Sequence, residues 1–99
     1  MNDAQLVKAL KALADKKRFR MMQEIATAGE LSCGQVRDLF DLSQPTISHH
    51  LKILTDAGVL NVREVGQHHF ISVNGELIKE MAAFLPEGLA HTRKAKGKR

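Results

Sequence analysis

The sequence predicts a mainly α-helical domain with one small β-hairpin, and three observations support this fold class. Leucine, isoleucine, valine, methionine and alanine supply nearly all of the apolar residues, because the chain has four phenylalanines and no tryptophan or tyrosine. Apolar residues recur at spacings of three and four along most of the chain, as they do on one face of a helix. Around residue 66, two runs of β-branched and apolar residues flank a glycine instead, which is typical of a hairpin.

Length and composition limit the class of protein. A chain of 99 residues is the size of one small domain, which buries only about two thirds of its unfolded surface, so we expect it to gain stability as a dimer. No apolar run approaches the roughly 20 residues of a membrane span, and the N-terminus is too polar for a secretory signal. The single cysteine can form neither an internal disulfide nor a Cys-x-x-Cys motif. We therefore expect a cytoplasmic protein without membrane contact.

The formal net charge of +4 belongs to the C-terminal end of the chain. Residues 91–99 contain five lysines and arginines and no acidic residue, which leaves the rest of the chain at −1. We expect one domain over residues 1–85, followed by a basic tail without fixed structure over residues 86–99. Net charge therefore does not show that the domain binds nucleic acid. Evidence for nucleic-acid binding has to come from the residues of individual helices and strands.

The first two predicted helices end near Ala14 and Ala28. Leucines at spacings of four and three mark one face of the first helix: Leu6, Leu10 and Leu13. Asp15 can cap the start of the second helix, and Gly29 suits the left-handed turn that ends it. The predicted apolar face of the second helix consists of Phe19, Met22, Ile25 and Ala26.

A short third helix and a longer fourth helix follow, joined by about three residues. Ser32 is the expected N-cap of the third helix, whose apolar residues are Val36, Leu39 and Phe40. The fourth helix covers residues 44–57, with Pro45 tolerated in its first turn and Gly58 at its end. At about 100° per residue, its core face consists of Ile47, Leu51 and Leu54.

Residues 59–73 predict the hairpin, in which VLNVREV and HHFISV flank a two-residue turn at Gly66 and Gln67. Asn74 can then cap a fifth helix that ends just before Pro86. The apolar stripe of this helix consists of Leu77, Ile78, Met81 and Leu85.

Two helices joined by a short turn and followed at once by a hairpin form the layout of a winged helix-turn-helix. The outward face of the fourth helix is short, polar and mildly cationic, which suits a DNA major groove, and the hairpin can lie along the phosphate backbone. Small polar residues also cover many ordinary solvent-facing helices, and composition alone leaves that interpretation open. The expected DNA contacts are Gln44, Thr46, Ser48, His49 and Lys52 from the helix, and Arg63, Gln67 and His68 from the hairpin.

Two pairs of adjacent histidines raise the question of a metal site. His49 and His50 point about 100° apart on a helix, whereas chelation requires neighbours at i, i+3 or i, i+4. His68 and His69 alternate between the two sides of a strand. We therefore expect no metal at either pair, with His49 exposed and His50 partly buried.

The segments ALADKKRFRMMQEI, GELSCGQV and LSQPTISHHLKILTDAGVL, followed by the hairpin, are similar to the ArsR/SmtB family of bacterial winged-helix repressors. The resemblance covers about residues 6–85. It implies a homodimeric repressor that binds an inverted-repeat operator in double-stranded DNA. It also implies that the first and last helices form the dimer interface, although the same apolar stripes suit the core of one subunit. The interface candidates are Leu6, Leu10, Leu13, Leu77, Ile78, Met81 and Leu85.

The resemblance also shows which metal sites are incomplete. Many members of the family sense thiophilic metals through a Cys-x-Cys, but Ser32 and Gly34 occupy those positions here, with Cys33 between them. For the other family site, on the last helix, the sequence offers only Glu76, Glu80 and, beyond Pro86, His91. We therefore expect no metal and no cofactor. The alternatives for what controls the regulator are a thiol oxidant acting on Cys33, a ligand, a protein partner, or its own concentration.

Two other classes of function need comparison. The sequence contains no Ser-His-Asp set, no glycine-rich phosphate loop and no paired carboxylates in an evident cleft, so we expect no enzyme. A winged helix can also dock a protein, and the modest charge of the outward face allows this alternative. It predicts partner binding that is insensitive to Thr46, Ser48 and His49, with no preference for any DNA duplex.

Overall fold

A computed structural model of the chain describes residues 1–90, of which residues 87–90 are described by their backbone only. Within this part, five helices and three strands confirm the predicted mainly α fold with a hairpin, and β1 is an addition. The elements are α1 Asp3–Leu13, α2 Lys16–Ala28, β1 Leu31–Ser32, α3 Cys33–Leu39, α4 Gln44–Asp56, β2 Leu60–Val65, β3 His68–Val73 and α5 Gly75–Ala90. No helix in the described part is long and apolar enough to span a membrane.

The helix ends follow the capping residues that the sequence predicts. The Asp15 carboxylate accepts hydrogen bonds from the backbone N–H groups of Lys17 and Arg18, both at 3.1 Å. The Ser32 hydroxyl caps α3 by accepting from the Gln35 N–H at 3.1 Å. Gly29 ends α2 with a φ of 86°, a conformation that suits glycine. The Asp15 and Ser32 side chains satisfy backbone N–H groups that have no partner inside the helix.

The strands form an antiparallel sheet in the order β1-β3-β2. Gly66 and Gln67 make the predicted two-residue turn, and Arg63 lies opposite Phe70 in the register. Because side chains alternate along a strand, the buried Ile71 points to the helices and Phe70 points away from them. Strand β1 was not predicted, since two residues are too few to show an alternating pattern.

The core lies between the helices and the inner face of the sheet. Helix α4 contributes Ile47, Leu51 and Leu54, all buried as predicted. In the described part of the chain no polar or charged residue is fully buried. The largest fully buried side chains are Met21, Ile25, Val36, Ile47, Leu54, Val59 and Ile71.

The predicted core faces of α2 and α3 are partly wrong. Met21 and Ile25 form the buried side of α2 where it packs on α4 and β3. Phe19 is 44% exposed and Ala26 is exposed as well, because both lie about 130° around the helix from that side at 100° per residue. On the short helix α3 only Val36 is buried, and Leu39 remains 54% exposed.

The predicted end of the last helix before Pro86 is also wrong, since α5 continues to Ala90. Proline removes one N–H and crowds the carbonyl four residues earlier. That carbonyl belongs to Ala82, and both residues are exposed, so water can solvate the unpaired group. The basic tail expected over residues 86–99 lies outside the described residues from residue 91 onward.

Candidate nucleic-acid interface

Helix α4 is held on the core by one face and presents a polar face to solvent. The buried Ile47, Leu51 and Leu54 fix its rotation. The side chains of Gln44, Ser48, His49 and Lys52 are consequently exposed, and Thr46 is half-buried. The Lys52 ammonium lies 3.1 Å from Asp56 Oδ2, so a neighbouring carboxylate partly offsets its charge. The polar face is therefore short and only weakly cationic.

The first turn of α4 is held by its N-cap. The backbone N–H of Thr46 donates to Ser43 Oγ at 3.3 Å. The Thr46 hydroxyl lies 2.8 Å from the same oxygen. Since this contact engages the hydroxyl, the methyl group of Thr46 is the part suited to an external contact, such as the methyl group of thymine.

A second set of hydrogen bonds joins α3 to the start of α4. Gln44 Nε2 donates to Ser48 Oγ at 3.2 Å, and Arg37 Nη1 donates to Gln44 Oε1 at 3.4 Å. Arg37 thereby places a cation beside the polar face, although its Nε also lies 3.6 Å from Asp38 Oδ1. Sequence reasoning missed Arg37, because it lies on the preceding helix. The short turn between α3 and α4 was the available signal.

Arg63 lies on the outer face of the hairpin and is already paired. Its Nε and Nη2 donate to the two carboxylate oxygens of Glu30 at 3.1 and 2.8 Å. Its guanidinium carbon lies 4.9 Å from the centroid of the Phe70 ring, a cation–π distance. The hydrogen bonds lower the pKa of Glu30 and raise that of Arg63. Arg63 thus ties the hairpin to the loop between α2 and β1.

The tip of the hairpin carries the other two predicted contacts. Gln67 lies in the turn and His68 begins β3, and both are exposed. His68 is opposite Val65, whereas His69 is opposite Glu64. The two histidines therefore point to opposite faces of the sheet, as predicted.

His50 is half-buried beside α2, as the sequence predicts. Its Nδ1 lies 3.4 Å from Arg18 Nη1. Burial lowers the pKa of His50, which favours the neutral ring. A neutral Nδ1 can accept a hydrogen bond from the arginine. His50 therefore links α4 to α2, while the adjacent His49 faces solvent.

Cys33 is half-buried at the start of α3, and burial raises the pKa of its thiol. A raised pKa is the opposite of what activates a cysteine. Cys33, Leu51 and His69 are among the residues that line an open cavity of about 260 Å³ between α4 and the hairpin. In the described part of the chain no three side chains are grouped so that they could hold a metal ion.

The expected interface residues on α1 and α5 fall into three groups by burial. Leu6 and Met81 belong to the core. Leu10 and Leu85 are each 39% exposed, and Val7, beside Leu10, is 47% exposed. Val7 was not predicted, because the leucine spacing defined the stripe. The remaining three are half-buried against the core: Leu13, Leu77 and Ile78.

The chain is similar in sequence and in fold to known proteins. A family described as a helix-turn-helix domain matches residues 13–63. The arsenical resistance operon repressor of Bacillus subtilis is 33% identical over 87 residues, 88% of this chain and 80% of that protein. The structure of HlyU from Vibrio cholerae has a TM-score of 0.71 at 31% identity, covering 86% of this chain and 94% of that one. A homodimeric winged helix-turn-helix DNA-binding domain from Mycobacterium bovis has a TM-score of 0.71 at 22% identity, with coverages of 93% and 89%.

Proposed function

Because this chain belongs to the ArsR family of winged helix-turn-helix repressors, we propose that it represses transcription by binding an inverted-repeat DNA operator as a homodimer. The observation that carries this proposal is the polar face of α4, which is exposed beside a hairpin while the opposite face is locked into the core. A helix held in this way can enter a major groove without rearrangement.

The residues of α4 supply base contacts in this proposal. Gln44 can pair with adenine, Thr46 can meet the thymine methyl group, and Ser48 and His49 can bond base edges or phosphate. Lys52 contributes charge toward the phosphate backbone. The support for these roles is the fixed rotation of the helix and the exposure of Gln44, Ser48, His49 and Lys52, with Thr46 half-buried beside them.

The hairpin acts as the wing that contacts the backbone beside the groove. Gln67 and His68 at its tip are the contacting residues. Arg63 takes a different role from the one expected from sequence, since the Nε and Nη2 edge of its guanidinium is engaged with Glu30. It holds the wing at a fixed angle to the body of the domain. Arg37 from α3 joins the phosphate contacts beside Gln44.

The homodimer forms through the apolar surface that α1 and α5 leave exposed. Val7, Leu10 and Leu85 are large apolar side chains in solvent, and such a patch marks an interaction site when its members are contiguous. The Mycobacterium bovis relative of the same fold is homodimeric. A two-fold dimer doubles a weak DNA footprint and places two α4 helices on successive half-sites.

Repression is the direction we assign, in agreement with the arsenical resistance repressors and the transcriptional repressor SdpR of Bacillus subtilis, although HlyU is named an activator. The protein has no catalytic role in this proposal and acts in the cytoplasm. The raised pKa of the Cys33 thiol counts against an oxidant switch at that residue.

Alanine replacements on α4 test the DNA contacts. Thr46→Ala and His49→Ala should each lower affinity for the preferred operator by about 1–3 kcal/mol and relax the sequence preference, as measured by fluorescence anisotropy. Thr27→Ala is the matched control, because Thr27 is an exposed helical threonine on α2 whose hydroxyl donates to the Gln23 carbonyl at 2.9 Å. Wild-type preference in both α4 variants would remove α4 from the DNA interface.

A further inference from the structure

A cavity of about 360 Å³ lies at the end of α4 opposite its polar first turn. Asp56, at this end, is twelve residues from Gln44, or about 18 Å along the helix at 1.5 Å per residue. The base contacts proposed near the start of α4 therefore lie away from this region, whereas Lys52, which pairs with Asp56, lies one helical turn from it. The volume falls within the range of small-molecule sites. The cavity is lined by Lys8, Lys11, Ala12, Arg18, Ile53, Asp56 and Ala57.

Cationic side chains dominate the rim of this cavity. Lys8, Lys11 and Arg18 face a single carboxylate, Asp56, which already accepts from the Lys52 ammonium at 3.1 Å. Among the described side chains, neither Lys8 nor Lys11 forms an ion pair. Because Asp15 interacts electrostatically with Arg18, the uncompensated positive charge of the rim comes from Lys8 and Lys11, and it attracts anions.

The floor of the cavity is apolar. Ala12 is 2% exposed, and the partly buried Ile53 packs against the core. An apolar floor under a cationic rim is complementary to a molecule that combines a short apolar chain with one anionic group. A purely inorganic anion would leave the floor uncovered, and a neutral apolar molecule would leave the rim unpaired.

The cavity borders the exposed apolar face of α1. At about 100° per residue, Lys8 lies about 100° around α1 from Val7 and about 160° from Leu10, whereas Lys11 lies only about 40° from Val7. Lys8 therefore occupies a flank of α1 that is separate from its exposed apolar face. A dimer that uses that face leaves the Lys8 side of the cavity open to solvent.

Arg18 connects the cavity to the DNA-binding helix. Its Nε donates to the Ala12 carbonyl at 2.6 Å and its Nη2 to the Lys11 carbonyl at 3.4 Å, while Nη1 lies 3.4 Å from His50 Nδ1. The two Nη contacts are longer than usual hydrogen bonds. A carboxylate can replace them with shorter, charge-assisted bonds. Drawing Nη1 away from His50 would release a side-chain tie on α4.

We propose that this cavity binds a small amphipathic monocarboxylate and that its occupation weakens DNA binding. The carboxylate pairs with Lys8, Lys11 and Arg18, and the apolar chain lies over Ala12 and Ile53. Binding of the monocarboxylate does not depend on the proposed function, whereas its effect on DNA binding rests on the proposed function as a DNA-binding repressor.

Hexanoate is the probe for the binding step, followed by chemical-shift titration of the isotope-labelled full chain. Hexanoate should shift the amide signals of Lys8, Ala12 and Ala57 with a dissociation constant of about 1 mM, as expected for so small a ligand. Hexanamide, which has the chain without the charge, and acetate, which has the charge with almost no chain, should each bind several-fold more weakly.

Glutamine variants locate the site. Lys8→Gln and Lys11→Gln should each weaken hexanoate binding by about two- to fivefold, the usual value of an exposed ion pair. Lys79→Gln, an exposed lysine on α5 that does not line the cavity, is the matched control and should bind as the wild type does. Equal binding of hexanamide, or wild-type binding in both cavity variants, would overturn the site.

Operator binding with and without saturating hexanoate tests the coupling. Hexanoate should lower DNA affinity about fivefold, and by reciprocity DNA should weaken hexanoate binding by the same factor. Acetate at equal ionic strength should have no such effect, and Lys11→Gln should require a hexanoate concentration about two- to fivefold higher for the same response. Hexanoate bound in the cavity with DNA affinity unchanged would overturn the coupling. A protein with no DNA preference even without hexanoate would contradict the proposed function, while the titration would still decide whether the cavity binds.

Discussion

Replacing Leu10 by alanine should weaken the homodimer while leaving the fold intact. Leu10 is 39% exposed in the isolated chain, and full burial of a leucine side chain is worth about 1.5–3 kcal/mol. Covering the exposed part in an interface is therefore worth about 0.6–1.2 kcal/mol. Alanine removes three of the four side-chain carbons of leucine, so about three quarters of this burial free energy is lost per subunit.

The two-fold symmetry of the dimer doubles this loss, because each interface contains two copies of the residue. The expected total is about 0.9–1.8 kcal/mol, which raises the dimer dissociation constant roughly five- to twentyfold. Sedimentation equilibrium over a range of protein concentrations measures this constant directly.

Leu39→Ala provides the matched control. Leu39 exposes an even larger fraction, 54%, but lies on α3, away from α1 and α5. Its replacement should leave the dimer constant unchanged. If both variants dimerise like the wild type, or if both weaken the dimer equally, the dimer interface does not lie on the exposed side of α1.

Three other predictions concern the DNA interface and the links behind it. Glu30→Gln should lower operator affinity without changing its salt dependence, because the wing loses the ion pair between Arg63 and Glu30. Higher affinity with a steeper salt dependence would instead show that the released Arg63 binds phosphate. Arg37→Gln should reduce the slope of log affinity against log salt concentration by about one, and an unchanged slope would exclude a phosphate contact. The pKa of His50 in the folded chain is lowered from 6.5. Just below pH 6.5 the unfolded chain therefore binds more protons than the folded chain does. The free energy of unfolding should consequently fall as pH drops through about 6.5. Urea denaturation of His50→Gln should show a flatter pH dependence than the wild type, and equal slopes would contradict this role.

Features set by neighbouring residues could be predicted from the sequence. The caps at Asp15 and Ser32, the turn at Gly66 and the buried face of α4 all depend on short-range pattern. The exposed face of α4 followed directly, because the buried face fixes the rotation of a helix. The candidate DNA-binding face of α4 could therefore be predicted from the sequence alone.

Features set by tertiary contacts could not be predicted in the same way. The apolar stripe through Phe19 fits a helical period as well as the buried side at Met21 does, and only the packing of α2 on α4 and β3 distinguishes them. Arg63 pairs with Glu30 across 33 positions of sequence, so its role as a wing anchor was invisible in either segment alone. Arg37 reaches the polar face only because α3 and α4 meet at a short turn.

Selection of bound fragments from the source genome, with excess competitor DNA at physiological salt, is the decisive test of sequence-specific binding by a dimer. We expect recovery of an inverted repeat whose half-sites lie about one helical turn apart, because a two-fold dimer presents two α4 helices at that spacing. Recovery of random sequence would contradict it, since binding would then rest on charge alone.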